Sequence, residues 1–184
     1  MTISRSAARQ ARDEADCLFT QAQVRAALDR MAAEITLRLR DANPLVLCVV
    51  NGGVITCGAL LERLDFPLRQ DYLHATRYRS GTSGHAVEWL RHPKTPLSGE
   101  CVLVVDDILD EGWTLAAILE HCRALGAREV LAAVLVDKRH DRKAPGARAD
   151  FIGLQAPDRY LFGYGMDYHE YWRNAPGIFA VKGM

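Results

Sequence analysis

The sequence of 184 residues contains no apolar run of membrane-spanning length. Its first 16 residues, rich in Arg, Ala and Asp, lack the hydrophobic stretch of a secretory signal. Both absences predict a cytoplasmic protein with no membrane partner. An excess of one charge is missing too. Lys and Arg number 23 and Asp and Glu 23, which leaves no electrostatic footprint for nucleic acid or an anionic surface. None of the five cysteines (Cys17, Cys48, Cys57, Cys101, Cys122) falls in a CxxC pair, and several sit in apolar runs. They read as buried thiols in a reducing compartment, without a zinc site or a disulfide framework. The six histidines are scattered without metal-ligand spacing and read as incidental. What remains is the composition of an ordinary globular chain, long enough for one domain with a substantial core.

Apolar periodicity then orders the chain. Residues 1–16 read as a peripheral lead, and residues 17–184 as one domain. Thr20-Gln21-Ala22-Gln23 is a capping-box pattern. Val24, Leu28, Met31, Ile35 and Leu39 keep helical spacing after it, until Asn43-Pro44 stops the helix. Leu45 to Val50 is a continuous apolar strand, followed by Asn51-Gly52-Gly53 and a helix over about 54–64. Leu68 to Ala75 is a third segment of strand character. Residues 77–99 are a polar excursion with Gly and Ser, long for a compact domain, and read as a mobile arm with hairpin character. Cys101 to Val105, Val130 to Val136 and Phe151 to Leu154 complete the strands. Gly126 closes the helix that begins near Thr114. Apolar strands alternating with helices predict an α/β fold, a parallel sheet flanked by helices. The aromatic-rich segment of about 151–184 would return over the sheet as a small C-terminal hood.

The chemistry concentrates where the strand 101–105 ends. Asp106 and Asp107 can accept from vicinal sugar hydroxyls, or hold a hard cation between a sugar and a phosphate. Asp110 is a candidate proton acceptor. Glu111, Gly112, Trp113 and Thr114 lead into a helix N-terminus, whose unpaired N–H groups suit a phosphate; Gly112 permits close approach and the Thr114 hydroxyl can donate. A solvated acidic loop with one helix cap would need a single polar residue, whereas three aspartates crowd this strand end. Ligand sites of open α/β sheets lie at such carboxyl edges. Asn51-Gly52 closes another buried strand; by itself it is a glycine turn, but beside the aspartates it suggests a ligand with two phosphate groups.

The stretch Val104-Val105-Asp106-Asp107-Ile108-Leu109-Asp110-Glu111-Gly112-Trp113-Thr114 resembles the phosphoribosyl-pyrophosphate (PRPP) motif of the type I phosphoribosyltransferases. Its flanks, over roughly residues 17–174, are similar to the hypoxanthine-guanine branch. The resemblance implies magnesium-dependent purine salvage: PRPP and a 6-oxopurine give IMP or GMP and pyrophosphate. The base would be hypoxanthine, guanine or both, with xanthine open beside them. It assigns the 5′-phosphate to Glu111–Thr114, the ribose hydroxyls to Asp106 and Asp107, and general base work to Asp110. Asn51-Gly52, with a non-proline cis peptide between them, and Arg173 would hold pyrophosphate. Lys138 would donate to the 6-oxo group, a sensible choice because lysine has three donors and no acceptor. Tyr160 would stack on the purine, and the Leu161 carbonyl would face it. Magnesium ligands would be Asp106, Asp107 and Asp167. Tyr78 would belong to a catalytic loop closing over the site. A homodimer or homotetramer is implied as well.

Five positions depart from the family pattern, one of them Tyr160, which keeps the ring of the more familiar Phe and adds a hydroxyl. Asn51 replaces a basic residue, Arg77 a serine, and Asp106 a longer Glu, while Trp113 enters the phosphate loop. Two other classes compete. A PRPP-sensing regulator would call for a nucleic-acid surface, and no basic stripe is present. A phosphotransfer receiver would explain the aspartates but leave the segment 158–173, Asp158-Arg159-Tyr160-Leu161-Phe162-Gly163-Tyr164 and onward, without a role.

Overall fold

A computed structural model describes residues 3–77 and 87–183. The capping box forms: Gln23 N–H donates to Thr20 Oγ1 at 3.4 Å, and Thr20 N–H to Gln23 Oε1 at 2.9 Å. With these end groups satisfied, α2 runs Gln21–Leu39 and buries Val24, Leu28, Met31, Ile35 and Leu39. Asn43 then takes a left-handed φ of 48° ahead of Pro44, which turns the chain into β2 (Leu45–Val49), buried throughout.

The main sheet has six strands in the order β4-β3-β2-β5-β6-β7. They are β4 (Val87–Arg91), β3 (Arg69–Arg77), β2, β5 (Cys101–Leu109), β6 (Glu129–Arg139) and β7 (Phe151–Pro157). Every pairing is parallel except that of β3 with β4. Alternation along the central strands feeds two cores. Val46, Cys48, Cys101, Leu103 and Val105 face the layer of α2 and α3 (Gly53–Leu61); Leu45, Leu47, Val49, Val102 and Val104 face α4 (Trp113–Ala124). Strands apolar on both faces are what a doubly covered parallel sheet requires.

A second, three-stranded antiparallel sheet has the order β1-β9-β8, built from β1 (Asp16–Thr20), β8 (Leu161–Phe162) and β9 (Gly177–Ala180). This hood differs from the expected one at both edges. Phe151–Pro157 belongs to the main sheet, because β7 pairs in parallel with β6. Segment 16–20 joins the hood from the other end of the chain. The helix α1 (Arg5–Glu14) lies on that hood: Trp172 Nε1–H donates to the Ala8 carbonyl at 2.6 Å, and the Arg12 guanidinium stands 3.6 Å over the Phe179 ring.

The excursion 77–99 is only partly what its composition suggests. Tyr78 and the rest of 78–86 lie outside the described residues. From Val87 on, the chain is an antiparallel strand against β3, and beyond it Thr95 N–H donates to Asp71 Oδ2 at 2.8 Å while Leu97 is buried. Residues 87–99 are therefore fastened to the sheet.

Candidate active site

The strand β5 runs four residues past the expected Val105, because Ile108 and Leu109 still pair with Val136 and Asp137 of β6. Asp106 and Asp107 thus stand on a rigid strand and not on the loop beyond it. Burial pushes the Asp106 carboxyl well above the usual carboxylate range, and the adjacent Asp107 adds to this. Burial also raises Asp107, against the opposing influence of Asp106 and Arg173. Two crowded, desolvated carboxylates whose charge is this unfavourable form a donor set suited to a hard cation.

The turn after β5 needs its glycine. Gly112 has φ of 81°, and a Cβ there would meet Ala147 Cβ at 2.5 Å. From that residue α4 springs at Trp113, one position before Thr114, so its first N–H groups open toward the cleft. The loop is braced from behind by a residue the sequence did not single out. Lys143 Nζ donates to the carbonyls of Leu109 at 2.7 Å and Asp110 at 2.8 Å, and to Asp137 Oδ1 at 2.7 Å. Ala144 N–H donates to the Glu111 carbonyl at 2.7 Å. In sequence, Lys143 is one cation among several in a polar loop, with nothing to mark it as turned inward.

Across from this turn, the cis peptide falls at Val50–Asn51, one residue earlier than the expected Asn51–Gly52. Val50 N–H still donates to the Leu73 carbonyl in the sheet, so the chain changes course immediately after that bond. Gly52 lies against the acidic strand, where a Cβ would come within 2.3 Å of Asp107 Oδ2. The hood touches the same point: a Cβ on Gly165 would lie 2.1 Å from the Gly52 carbonyl oxygen. Arg173 ties the hood side together, donating to the Gly165 carbonyl and to Asp167 Oδ1, each at 2.6 Å. Asp167 Oδ2 accepts from Glu170 N–H at 2.8 Å.

These elements enclose a cleft of about 850 Å³. Its lining contains Asn51, Gly52, Asp106, Asp107, Asp110, Glu111, Gly112, Trp113, Thr114, Asp167 and Arg173, together with His74, Ala75 and Thr76 of β3. Lys138, Tyr160 and Leu161 are not in that lining. Lys138 is buried near the end of β6 and reaches the cleft through Asp110, with Nζ 3.0 Å from Oδ2. Tyr160 is 41% exposed at the hood, its ring edge-on to Tyr168, and the Leu161 side chain is buried.

Asp110 has a partner on each carboxylate oxygen. His140 Nε2 lies 3.0 Å from its Oδ1, so this histidine is not incidental. Burial alone would raise the Asp110 carboxyl, but Lys138 and His140 outweigh it and hold the group below the usual range. Asp158 approaches the same knot, 3.8 Å from Lys138 Nζ, and is held low chiefly by Arg142. The ammonium of Lys138 makes this knot a poor place for a further cation.

Comparisons with known proteins agree with this geometry. Residues 15–169 match the phosphoribosyl transferase domain family. The chain is 33% identical over 165 residues to the hypoxanthine-guanine-xanthine phosphoribosyltransferase of Tritrichomonas foetus, covering 90% of each chain. It is 31% identical over 166 residues to the hypoxanthine-guanine phosphoribosyltransferase of Bacillus subtilis, covering 90% of this chain and 92% of that one. A crystal structure of a hypoxanthine phosphoribosyltransferase from Staphylococcus aureus superposes with a TM-score of 0.87 at 26% identity, over 93% of this chain and 94% of that one. With these matches over most of its length and the same fold, the chain belongs to the hypoxanthine-guanine phosphoribosyltransferase family.

Proposed function

We propose that the protein transfers the 5-phosphoribosyl group of PRPP to a 6-oxopurine, hypoxanthine or guanine, giving IMP or GMP and pyrophosphate in purine salvage. One observation carries this reading. The Glu111–Thr114 turn at the start of α4, the Asp106–Asp107 pair and the Asn51-Gly52 turn all line a single cleft, the group types that a phosphorylated sugar bearing a second phosphate group requires.

In this reading the N–H groups at the start of α4 and the Thr114 hydroxyl hold the 5′-phosphate. Asp106 and Asp107 accept from the ribose hydroxyls, and Asn51-Gly52 with Arg173 hold pyrophosphate. Lys138 donates to the 6-oxo group, Tyr160 stacks on the base and the Leu161 carbonyl faces its edge. As N9 bonds to the anomeric carbon, the bond from that carbon to pyrophosphate breaks and leaves its electron pair on oxygen. The N7 proton passes to Asp110. Asp106 and Asp107 offer oxygen ligands to a magnesium ion and Asp167 to a second one, and the metal would supply charge neutralisation for the departing pyrophosphate. Tyr78 would join the loop that excludes water.

Five cysteines without disulfides, four of them buried, support a reducing cytoplasm. No helix among the described residues is long and apolar enough to cross a membrane. The family resemblance implies a homodimer or homotetramer. Sedimentation equilibrium reads that directly.

The test is a spectrophotometric assay with PRPP and magnesium, offering hypoxanthine, guanine, xanthine and adenine in parallel. Turnover of a 6-oxopurine with pyrophosphate release is expected, and adenine should be rejected because its 6-amino group offers Lys138 no comparable acceptor. Silence on all four bases, with PRPP still bound in calorimetry, would point to a PRPP-sensing regulator instead.

A further inference from the structure

The two oxygens of Asp110 are held by different residues, and the difference has a mechanistic use. Lys138 Nζ lies 3.0 Å from Oδ2, and His140 Nε2 lies 3.0 Å from Oδ1. The His140 side chain is 4% exposed. Its other ring nitrogen, Nδ1, accepts the Arg142 backbone N–H at 3.1 Å. A nitrogen that accepts from an N–H carries no proton of its own, so the proton of the imidazole is assigned to Nε2, directed at Asp110. The main chain of Asp110 is fixed separately, by Lys143 Nζ on its carbonyl.

The Lys138 ammonium has three N–H donors and can turn toward a substrate from its place on Asp110. If its ammonium turns to the oxygen substituent of an incoming base, Asp110 loses one donor and Asp158 loses a distant one. Neither carboxylate is then stranded. Asp158 keeps Arg142 Nη2 at 2.8 Å, and Asp110 keeps His140. Two further carboxylates lie near the pair: Asp137, held by Lys143, and Glu111, which follows Asp110 in the chain and lines the cleft.

We propose that His140 is a positioning residue for Asp110: it holds Oδ1 through Nε2–H while Lys138 leaves Oδ2 for the base, which frees Oδ2 to receive the N7 proton. Recognition of the base and release of the proton acceptor are thereby one event. The inference rests on the reading of Asp110 as that acceptor. In the step itself N9 bonds to the ribose carbon, the pyrophosphate oxygen departs with the bonding pair, and the proton from N7 ends on Oδ2.

The experiment compares wild type, His140→Leu and His140→Gln in steady-state kinetics against pH, with PRPP affinity measured by calorimetry. Loss of the donor in H140L should lower kcat about tenfold, the worth of one hydrogen bond to a charged group, and leave PRPP affinity nearly unchanged. The acid limb of the kcat profile should move to higher pH, because a carboxylate with one donor fewer is more easily protonated. H140Q, whose amide N–H can reach the same oxygen, should recover most of the rate. An active wild type with an unmoved limb and undiminished kcat in H140L overturns this inference alone. Equal losses in H140L and H140Q do so too. A wild type silent with every base overturns the functional reading and this inference with it. Should H140L fail to fold, imidazole ¹⁵N shifts of wild type decide, with the His140 signal identified by its loss in H140Q. An Nε2–H tautomer whose shift moves in Asp110→Asn supports the inference, and an Nδ1–H tautomer overturns it.

Discussion

At the scale of single residues, the proposed reaction places two demands on each of Asp110 and Lys138. A proton acceptor must be ionised; burial would raise the Asp110 carboxyl, but Lys138 and His140 outweigh it and hold the group low. Replacing Asp110 by Asn should cut turnover by about 10²–10⁴ with PRPP binding nearly intact in calorimetry. Near-normal turnover in that variant would remove the assignment. Lys138→Ala should raise KM for the 6-oxopurine far more than for PRPP; equal losses would argue against direct contact with the base. The same ion pair has a signature in stability. Because the folded-state value of Asp110 lies below its unfolded one, its contribution is full above about pH 4 and is lost as pH falls through the lower folded value. Urea denaturation of Asp110→Asn should therefore show a shallower loss of stability than wild type in acid, with parallel curves above about pH 5.

At the scale of elements, the site depends on how strand ends meet. The turn Asn51-Gly52 can lie on β5 only because position 52 has no side chain, a Cβ there standing 2.3 Å from Asp107 Oδ2. Gly52→Ala must displace the carboxylate or the turn, at a cost of about 1–3 kcal/mol. Pyrophosphate affinity should fall in step, measurable by product inhibition, and unchanged inhibition would separate this turn from the ligand. The start of α2 gives a control far from chemistry. Thr20→Ala removes the acceptor for Gln23 N–H and should lower stability by about 1 kcal/mol without altering kcat.

At the scale of the whole molecule, the two ends of the chain are joined over the site. The strands β1 and β9 pair, α1 lies on the hood, and Gly165 of the hood rests on the Gly52 carbonyl. Closing the hood thus involves residues more than a hundred positions apart. Trp172→Phe keeps a ring but removes the N–H given to Ala8, and should lower stability by about 1 kcal/mol, or about 2–4 °C in Tm for a chain of this size. An unchanged melting temperature would mean that α1 is fastened chiefly by other contacts, such as Arg12 over Phe179.

Much of this was legible in the chain itself, wherever the signal was local or periodic. Apolar runs such as Leu45 to Val49 and Cys101 to Val105 could only be strands covered on both faces. Thr20 and Gln23 began their helix where the capping pattern put it. The stretch 106–111 with Gly112 pointed to a sheet-edge site because a helix cap needs one polar residue and three aspartates crowd that strand end. Non-local pairing decided the rest. The strand Asp16–Thr20 is short and without alternation, and only its partner β9 makes it a strand. The extension of β5 through Leu109 depends on β6 beside it. His140 and Lys143 sat unremarked in a charged loop, since spacing along a chain says nothing about which side chain folds inward. Only the packing of that loop behind the turn after β5 brought one to the Asp110 carboxylate and the other to its carbonyl. Sequence determined which chemistry the chain carries; tertiary structure decided which groups hold it in place, because burial and hydrogen-bond partners are properties of contacts and not of order along the chain.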